Sequence, residues 1–123
     1  MTDSVKYVQQ MDIKYDHLER IDVPEIVKQC KEQWFNQSLT KVNDSVVRIG
    51  IVEGEYHWHK HENDDEFFFV LEGRLFIDLE DQTIELGPMQ GTTISKGVSH
   101  RPRAPKKTVM LMMETLSIDP MGD

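Results

Sequence analysis

The chain has 123 residues, of which 38% are hydrophobic and 29% are charged, and its formal net charge is −8 at pH 7. This length suits one domain with a modest core, and no apolar run approaches the roughly 20 residues of a membrane span. The negative charge repels nucleic acids and anionic membranes, so we expect neither as the main partner. A single cysteine excludes an internal disulfide, and the first residues lack the pattern of a signal peptide. We therefore expect a cytoplasmic protein.

Residues 1–45 are predicted to form an arm and a helix that pack on the rest of the chain. Asp22 is placed as an N-cap, with Pro24 in the first turn and Glu25 at the capping-box position. Apolar residues follow at helical spacing: Ile26, Val27, Cys30 and Trp34. This stripe predicts a helix over residues 24–34 that buries Cys30, and residues 7–13 are predicted to be extended.

From residue 46 onward the hydrophobic period changes to two, which is typical of β-strands. Strands are predicted over residues 47–51, 56–61, 66–71, 74–79, 83–86, 92–94 and 108–114. Gly, Pro, Asn and Asp residues separate these segments, as expected of turns. Many short strands without intervening helices indicate an all-β antiparallel sandwich or barrel over residues 46–115, followed by a tail at 116–123.

Most of the residues that could bind a metal ion lie between residues 54 and 73. In an extended strand, His57, His59 and His61 point to one face, and two imidazoles two residues apart can bind one ion. A hairpin would bring the carboxylate of Glu66 back beside them. Imidazole with carboxylate suits one divalent ion of Fe, Mn, Ni or Zn. The alternative is a surface strand whose histidines bind nothing.

The same segment resembles the first motif of the cupin superfamily, which has a glycine, a His-x-His pair, a glutamate and a second glycine. Residues 59–61 supply the pair, Glu66 follows after four residues, and Gly73 follows after six more. Gly54 stands four residues before His59, where five are usual.

A later stretch is similar to the centre of the second cupin motif. Residues 95–100 end on His100, which takes the place of the third histidine ligand. Met89, Ser95 and Ala104 stand where this motif has glycine, proline and asparagine. The phrases around both motifs look most like the small single-domain cupins of bacteria, many of which have no established reaction.

This resemblance implies an antiparallel double-stranded β-helix, or jelly-roll barrel, with the N-terminal arm and short helix outside it. It also implies a metal site formed by His59, His61, Glu66 and His100. Such a donor set leaves coordination positions open for a substrate. His57 is an additional candidate, either as a base beside the site or as a structurally hydrogen-bonded histidine of the barrel interior.

Three further groups of residues allow two interpretations each. Phe67, Phe69 and Leu71 are predicted to point outward, where the helix or a second subunit must cover them, and we expect a homodimer. The last-strand methionines, Met110, Met112 and Met113, either line a pocket or fill the core. The basic residues after His100 either attract an anionic substrate or form a solvated loop: Arg101, Arg103, Lys106 and Lys107.

Two hypotheses for function follow. The first is a mononuclear metalloenzyme, an oxygenase, isomerase or lyase, acting on a small oxygenated or acidic molecule. The second is a non-catalytic cupin that binds a small ligand or is stabilised by its metal. The complete ligand set favours the first hypothesis, and the lack of a clear acid–base partner in the sequence favours the second.

Overall fold

The computed structural model describes residues 6–120 and 122 and consists of one helix and eight strands. These elements are β1 (Tyr7–Gln10), α1 (Val23–Gln29), β2 (Trp34–Val42), β3 (Ser45–Glu55), β4 (Glu66–Glu72), β5 (Leu75–Asp78), β6 (Thr83–Leu86), β7 (Gly91–Ile94) and β8 (Arg101–Thr115). The all-β prediction is confirmed. No helix within the described residues is long and apolar enough to cross a bilayer.

The strands form one sheet that folds over on itself without closing. Its order is β1-β2-β3-β8-β4-β7, and β5 pairs with both β6 and β8. All pairings are antiparallel except that of β1 with β2. The 15-residue strand β8 connects the two parts of the sheet, because its first residues pair with β5 and its later residues pair with β3 and β4.

The core has two sides, one inside the folded sheet and one beneath the helix. Inside lie the buried side chains of Trp34, Val52, Tyr56, Phe68, Val70, Leu75, Ile77, Leu86, Ile94, Ala104, Met110 and Met112. Outside, Ile26 of α1 packs with Ile49 and Ile51 of β3. The predicted alternation along β4 is confirmed: Phe68 and Val70 are buried, Leu71 packs in the outer cluster, and Phe67 remains 36% exposed.

The predicted helix is shorter than expected, although its start is confirmed. The Asp22 side chain accepts a hydrogen bond from the backbone N–H of Glu25 at 3.1 Å. The helix ends at Gln29, not at Trp34, because Cys30 already has extended backbone angles. Trp34 instead begins β2, a strand the sequence analysis did not predict, and its side chain is 1% exposed inside the sheet.

The last predicted strand is longer than expected. It runs through Pro102 and Pro105, which lie between the strands predicted over residues 92–94 and 108–114. The carbonyl of Pro102 accepts from the backbone N–H of Tyr56 at 3.0 Å, so this residue takes part as an acceptor where its missing N–H is not required.

Two turn positions use the left-handed backbone region. Gly73 has φ +91°, and a Cβ there would lie 2.5 Å from Thr108 Oγ1, so only glycine fits. Met89 has φ +67° although it carries a side chain. This residue stands where the second cupin motif has glycine, so the turn keeps a conformation that glycine favours despite the substitution.

Candidate metal centre

Four predicted ligands come from three separate segments of the chain. His59 and His61 lie on the connection between β3 and β4, Glu66 is the first residue of β4, and His100 immediately precedes β8. The predicted strand over residues 56–61 is wrong as a regular strand, because only His59 makes a β-bridge, to His100. The two backbone hydrogen bonds of that bridge are 3.0 and 2.9 Å long and join the two histidine segments.

The donor atoms of these four side chains converge. One ligand atom from each lies within 4.8 Å of the others. His100 Nε2 is 3.1 Å from Glu66 Oε1, and His61 Nε2 is 3.5 Å from the same oxygen. All four residues are buried, with exposures of 9% or less. The fold thus brings His59, His61 and Glu66 together with the more distant His100, but without the regular strand and the hairpin that the sequence analysis expected.

Backbone carbonyls set the orientation of two of the imidazoles. His59 Nδ1 donates to the carbonyl of His57 at 3.1 Å, and His100 Nδ1 donates to that of Val98 at 2.9 Å. Because Nδ1 carries the proton in both rings, Nε2 presents its lone pair to the centre of the group. This is the arrangement in which a metal-ligating histidine is normally held.

The electrostatics favour the ligand forms of these residues. Burial and the neighbouring His100 lower the pKa of His59 to about 4, so its imidazole is neutral at pH 7. Burial raises the pKa of Glu66, but the nearby rings of His100 and His61 lower it to about 2. A neutral imidazole at His59 beside the ionised carboxylate of Glu66 is a combination that binds a borderline divalent ion, so the residues fit such a metal.

A second buried carboxyl lies behind Glu66. Burial, followed by the charge of Glu66, raises the pKa of Glu114 to about 8. Arg48 lies beside it, with NH1 3.8 Å from Glu114 Oε2, and both side chains are at most 3% exposed. The sequence analysis did not single out either residue. In the sequence, each of them is a charged residue at an inward-facing position of an otherwise apolar strand.

A small cavity of about 20 Å³ adjoins the four-residue group. Its wall includes His59, Glu66, Glu114, Trp34, Asn36, Tyr56, Phe68, Pro102, Met110, Met112 and Pro120. Met110 and Met112 therefore both fill the core and line the cavity, while Met113 is 45% exposed. The segment after β8 closes one side of the cavity, because the Tyr56 hydroxyl donates to the carbonyl of Pro120 at 3.1 Å.

A larger groove lies elsewhere, between α1 and the outer face of β2. Its volume is about 540 Å³, and Ile26, Cys30 and Phe35 contribute to its wall. None of the four converging residues borders this groove, so the candidate metal site adjoins the smaller interior cavity.

His57 lies outside the converging group. Its ring centroid is 4.1 Å from that of Tyr56 and 5.4 Å from that of His59. Its backbone carbonyl accepts a hydrogen bond from His59 Nδ1. Both interpretations of His57, a base beside the site and a structurally hydrogen-bonded histidine of the barrel interior, stay predictions.

The basic cluster after His100 divides into two parts. Arg101 and Arg103 lie on β8 and form ion pairs with Asp78 of β5, each with a shortest contact of 2.8 Å. The interpretation as a solvated loop is therefore wrong for these two arginines, which share the carboxylate of Asp78, and Arg101 also lies 3.4 Å from Glu55. Lys106 and Lys107 also lie on β8; they are exposed, as expected, but they do not form a loop.

Comparisons with known proteins agree with this architecture. The Cupin domain family profile matches residues 46–118. An uncharacterized protein of Bacillus subtilis, YdbB, is 43% identical over 72% of this chain and 80% of its own length.

Solved structures are similar as well. A cupin-2 domain containing protein from Shewanella frigidimarina is 33% identical, with a TM-score of 0.74 over 77% of this chain and 93% of that one. KdgF from Halomonas sp. is 18% identical, with a TM-score of 0.65 over 76% of this chain and 90% of that one, a likeness of fold alone.

Proposed function

The chain belongs to the Cupin domain family, and from that premise we propose that it is a mononuclear metalloprotein acting on a small oxygenated or acidic organic molecule. One observation carries the proposal: four ligand atoms from three chain segments lie within 4.8 Å of one another in a buried site. The ring orientations of His59 and His100, the neutral imidazole of His59 and the ionised carboxylate of Glu66 suit a divalent metal.

His59, His61, Glu66 and His100 are the residues that would hold the metal. Three imidazoles and one carboxylate suit Fe, Mn, Ni or Zn, with about one ion per chain. A bound divalent ion would supply Lewis acidity to a small ligand. The chain's own residues orient the rings through the carbonyls of His57 and Val98 and exclude water through the apolar wall.

Catalysis is the favoured role for this site. The wall beside the ligands holds a further titratable group, Glu114, which supplies the acid–base partner that the sequence alone did not reveal. The alternative is a metal-stabilised module without catalysis, and the small cavity volume of about 20 Å³ favours it.

The experiment is elemental analysis of the protein reconstituted anaerobically with each of Fe(II), Mn(II), Ni(II) and Zn(II). We expect about one metal per chain with at least one of these ions, and at least tenfold lower affinity in His59→Ala and His100→Ala. His57→Ala is the matched control, because it removes an imidazole from the same segment without removing a ligand. No stoichiometric metal under any condition, or equal loss in His57→Ala, would refute the assignment.

A second measurement distinguishes the enzyme hypothesis from the hypothesis of a binding module without catalysis. Oxygen consumption and product formation are followed for the Fe(II) form across small keto acids, diols and thiols. Turnover that His100→Ala abolishes supports the enzyme. A metal that raises thermal stability with no turnover across the panel supports the module.

We also propose a cytoplasmic homodimer. Phe67 and Met113 pair across β4 and β8 and are 36% and 45% exposed, while the Phe69 ring lies 6.2 Å from that of Phe67. Burying this apolar face against a second copy of the chain would favour dimerisation. Light scattering should give twice the chain mass, and Phe67→Glu should give the monomer.

A further inference from the structure

An acidic cleft lies on the surface next to the candidate metal ligands. Its volume is about 310 Å³, and its wall includes Asn63, Asp64 and Asp65. These three residues belong to the short connection that runs from His61 to Glu66, two of the predicted ligands. The cleft is therefore bordered by the same chain segment that carries those ligands.

Glu114 is common to this cleft and to the interior cavity. It borders the cleft, and together with His59 and Glu66 it also borders the cavity. The Glu114 side chain is 2% exposed, and its Oε2 atom has no hydrogen-bond partner within the described part of the chain. The guanidinium of Arg48 lies 3.8 Å away, beyond hydrogen-bond length. A buried carboxyl oxygen without a hydrogen bond is costly, so the position of Glu114 between the two spaces calls for a role beyond packing.

The charge of the cleft favours cations. Asp64 and Asp65 contribute two carboxylates, and Lys96 contributes one ammonium group. The two aspartates therefore outweigh the lysine even before Glu114 is counted. Negative charge in a cleft raises the local concentration of cations and the rate at which they associate.

The cleft is suited to passing a cation on rather than to retaining it. Among the described residues, the four converging ligands are the one group of three or more donors whose ligand atoms lie within 4.8 Å of one another. Asp64 and Asp65 are not in that group. A cation attracted to the cleft is therefore held more tightly at the interior ligands than at the cleft itself.

We propose that divalent metal ions reach the candidate centre through this acidic cleft, and that the Glu114 carboxylate passes each ion from the cleft to Glu66 and the histidines. This inference rests on the proposed metal site. A change of the Glu114 rotamer would move its carboxylate between the two spaces that it borders. The segment after β8 closes another side of the cavity, where the Tyr56 hydroxyl donates to the carbonyl of Pro120 at 3.1 Å.

The test follows the loading of metal-free protein with Co(II) in a stopped-flow instrument. Trp34 borders the interior cavity, so quenching of tryptophan fluorescence reports the arrival of the ion. Asp64→Asn combined with Asp65→Asn removes two charges and keeps an oxygen that can accept the backbone N–H of Lys96. The rate constant for loading should fall at least about threefold at low ionic strength and less at high salt. Lys96→Gln should raise the rate constant.

Glu80→Gln combined with Asp81→Asn is the matched control. It also removes two negative charges, but from the exposed turn between β5 and β6, which borders neither the cleft nor the cavity. The rate constant for loading should stay within about twofold of the wild-type value. Equal slowing in the cleft variant and the turn variant would show that net charge governs loading and would overturn the inference.

Glu114→Gln tests the transfer step. A path that serves both entry and exit predicts that loading of Co(II) and its release to excess EDTA both slow by at least about threefold. A carboxylate that only stabilised the bound ion would give faster release on substitution, and that result would overturn the inference. If the variant does not fold, because Arg48 loses its counter-ion, the Asp64, Asp65 and Lys96 variants decide.

Elemental analysis at the end of each reaction separates the two proposals. We expect about one Co(II) per chain in every variant, because all four ligands are retained. Absence of stoichiometric metal in the wild-type protein refutes the proposed function and this inference with it. Bound metal with a loading rate that the aspartate substitutions leave unchanged, or that Lys96→Gln lowers, overturns this inference alone.

Discussion

Two arginine–carboxylate clusters lie within this sheet, and they differ in how well their polar atoms are paired. Asp78 accepts hydrogen bonds of 2.8–3.2 Å from Arg101, Arg103 and Thr83. The Arg48–Glu114 pair is more deeply buried but 3.8 Å apart. The Asp78 cluster joins β5 to β8 and is complete in itself, whereas the second cluster adjoins the candidate metal ligands. Complete pairing is typical of a structural cluster, whereas buried polar atoms without a partner call for an explanation beyond packing.

The largest expected effect is on thermal stability, and it comes from metal binding to the ligands beside the incompletely paired cluster of Arg48 and Glu114. A metal present at 100 times its dissociation constant should stabilise the folded protein by about 2.7 kcal/mol. Differential scanning calorimetry of apo and Zn(II)-loaded samples measures this as a rise in Tm of roughly 10 °C. His61→Ala should abolish the rise, whereas Asp78→Ala should retain it. A rise that persists in His61→Ala would place the metal elsewhere.

Breaking the complete cluster should cost stability and leave the metal site intact. Asp78→Ala deprives Arg101 and Arg103 of their shared carboxylate, and we expect a loss of about 2 kcal/mol. The loss is smaller than for a fully buried pair, because the arginine side chains are 27% and 30% exposed and can be hydrated. Urea denaturation measures the change. An unchanged midpoint would show that the cluster does not stabilise the sheet.

Acid should remove the same contribution from the wild-type protein. Hydrogen bonds from Arg103, and to a lesser extent those from Arg101 and Thr83, hold the pKa of Asp78 below its ordinary value of 3.8. The stabilisation is therefore present above pH 3.8 and is lost as the pH falls toward the lower native value. The stability difference between wild type and Asp78→Asn should narrow below pH 4. A constant difference from pH 6 to pH 2.5 would contradict this.

Removing both members of the incomplete cluster should have the smallest effect on stability. Arg48→Met with Glu114→Gln replaces a poorly matched pair by groups of similar volume, so apoprotein stability should change by less than about 1 kcal/mol or rise. Chemical denaturation of the metal-free double variant measures this. A loss as large as that of Asp78→Ala would show that the pair is structural and would remove the contrast between the clusters.

The sequence predicted those parts of the molecule whose signals are local. Alternation along β4 placed Phe68 and Val70 inside, and the motif spacing selected His59 and His61 over His57. Strand β2 was not predicted because its interior positions include Asn36 and Ser38, which give no apolar alternation.

What the sequence did not reveal depends on contacts between distant segments. Arg48 and Glu114 are 66 positions apart, and only the pairing of β3 with β8 brings them together. The continuity of β8 through its prolines likewise depends on partners supplied by other strands. Burial of a charged residue cannot be distinguished from exposure until such a partner is known.

The most direct test of the metal centre is a crystal structure of the reconstituted protein with anomalous diffraction at the absorption edge of the added metal. We predict one anomalous peak per chain, about 2.0–2.3 Å from a nitrogen of His59, His61 and His100 and from an oxygen of Glu66. A fully loaded crystal with no peak at these residues, or with a peak on His57 instead of His59, would contradict the account.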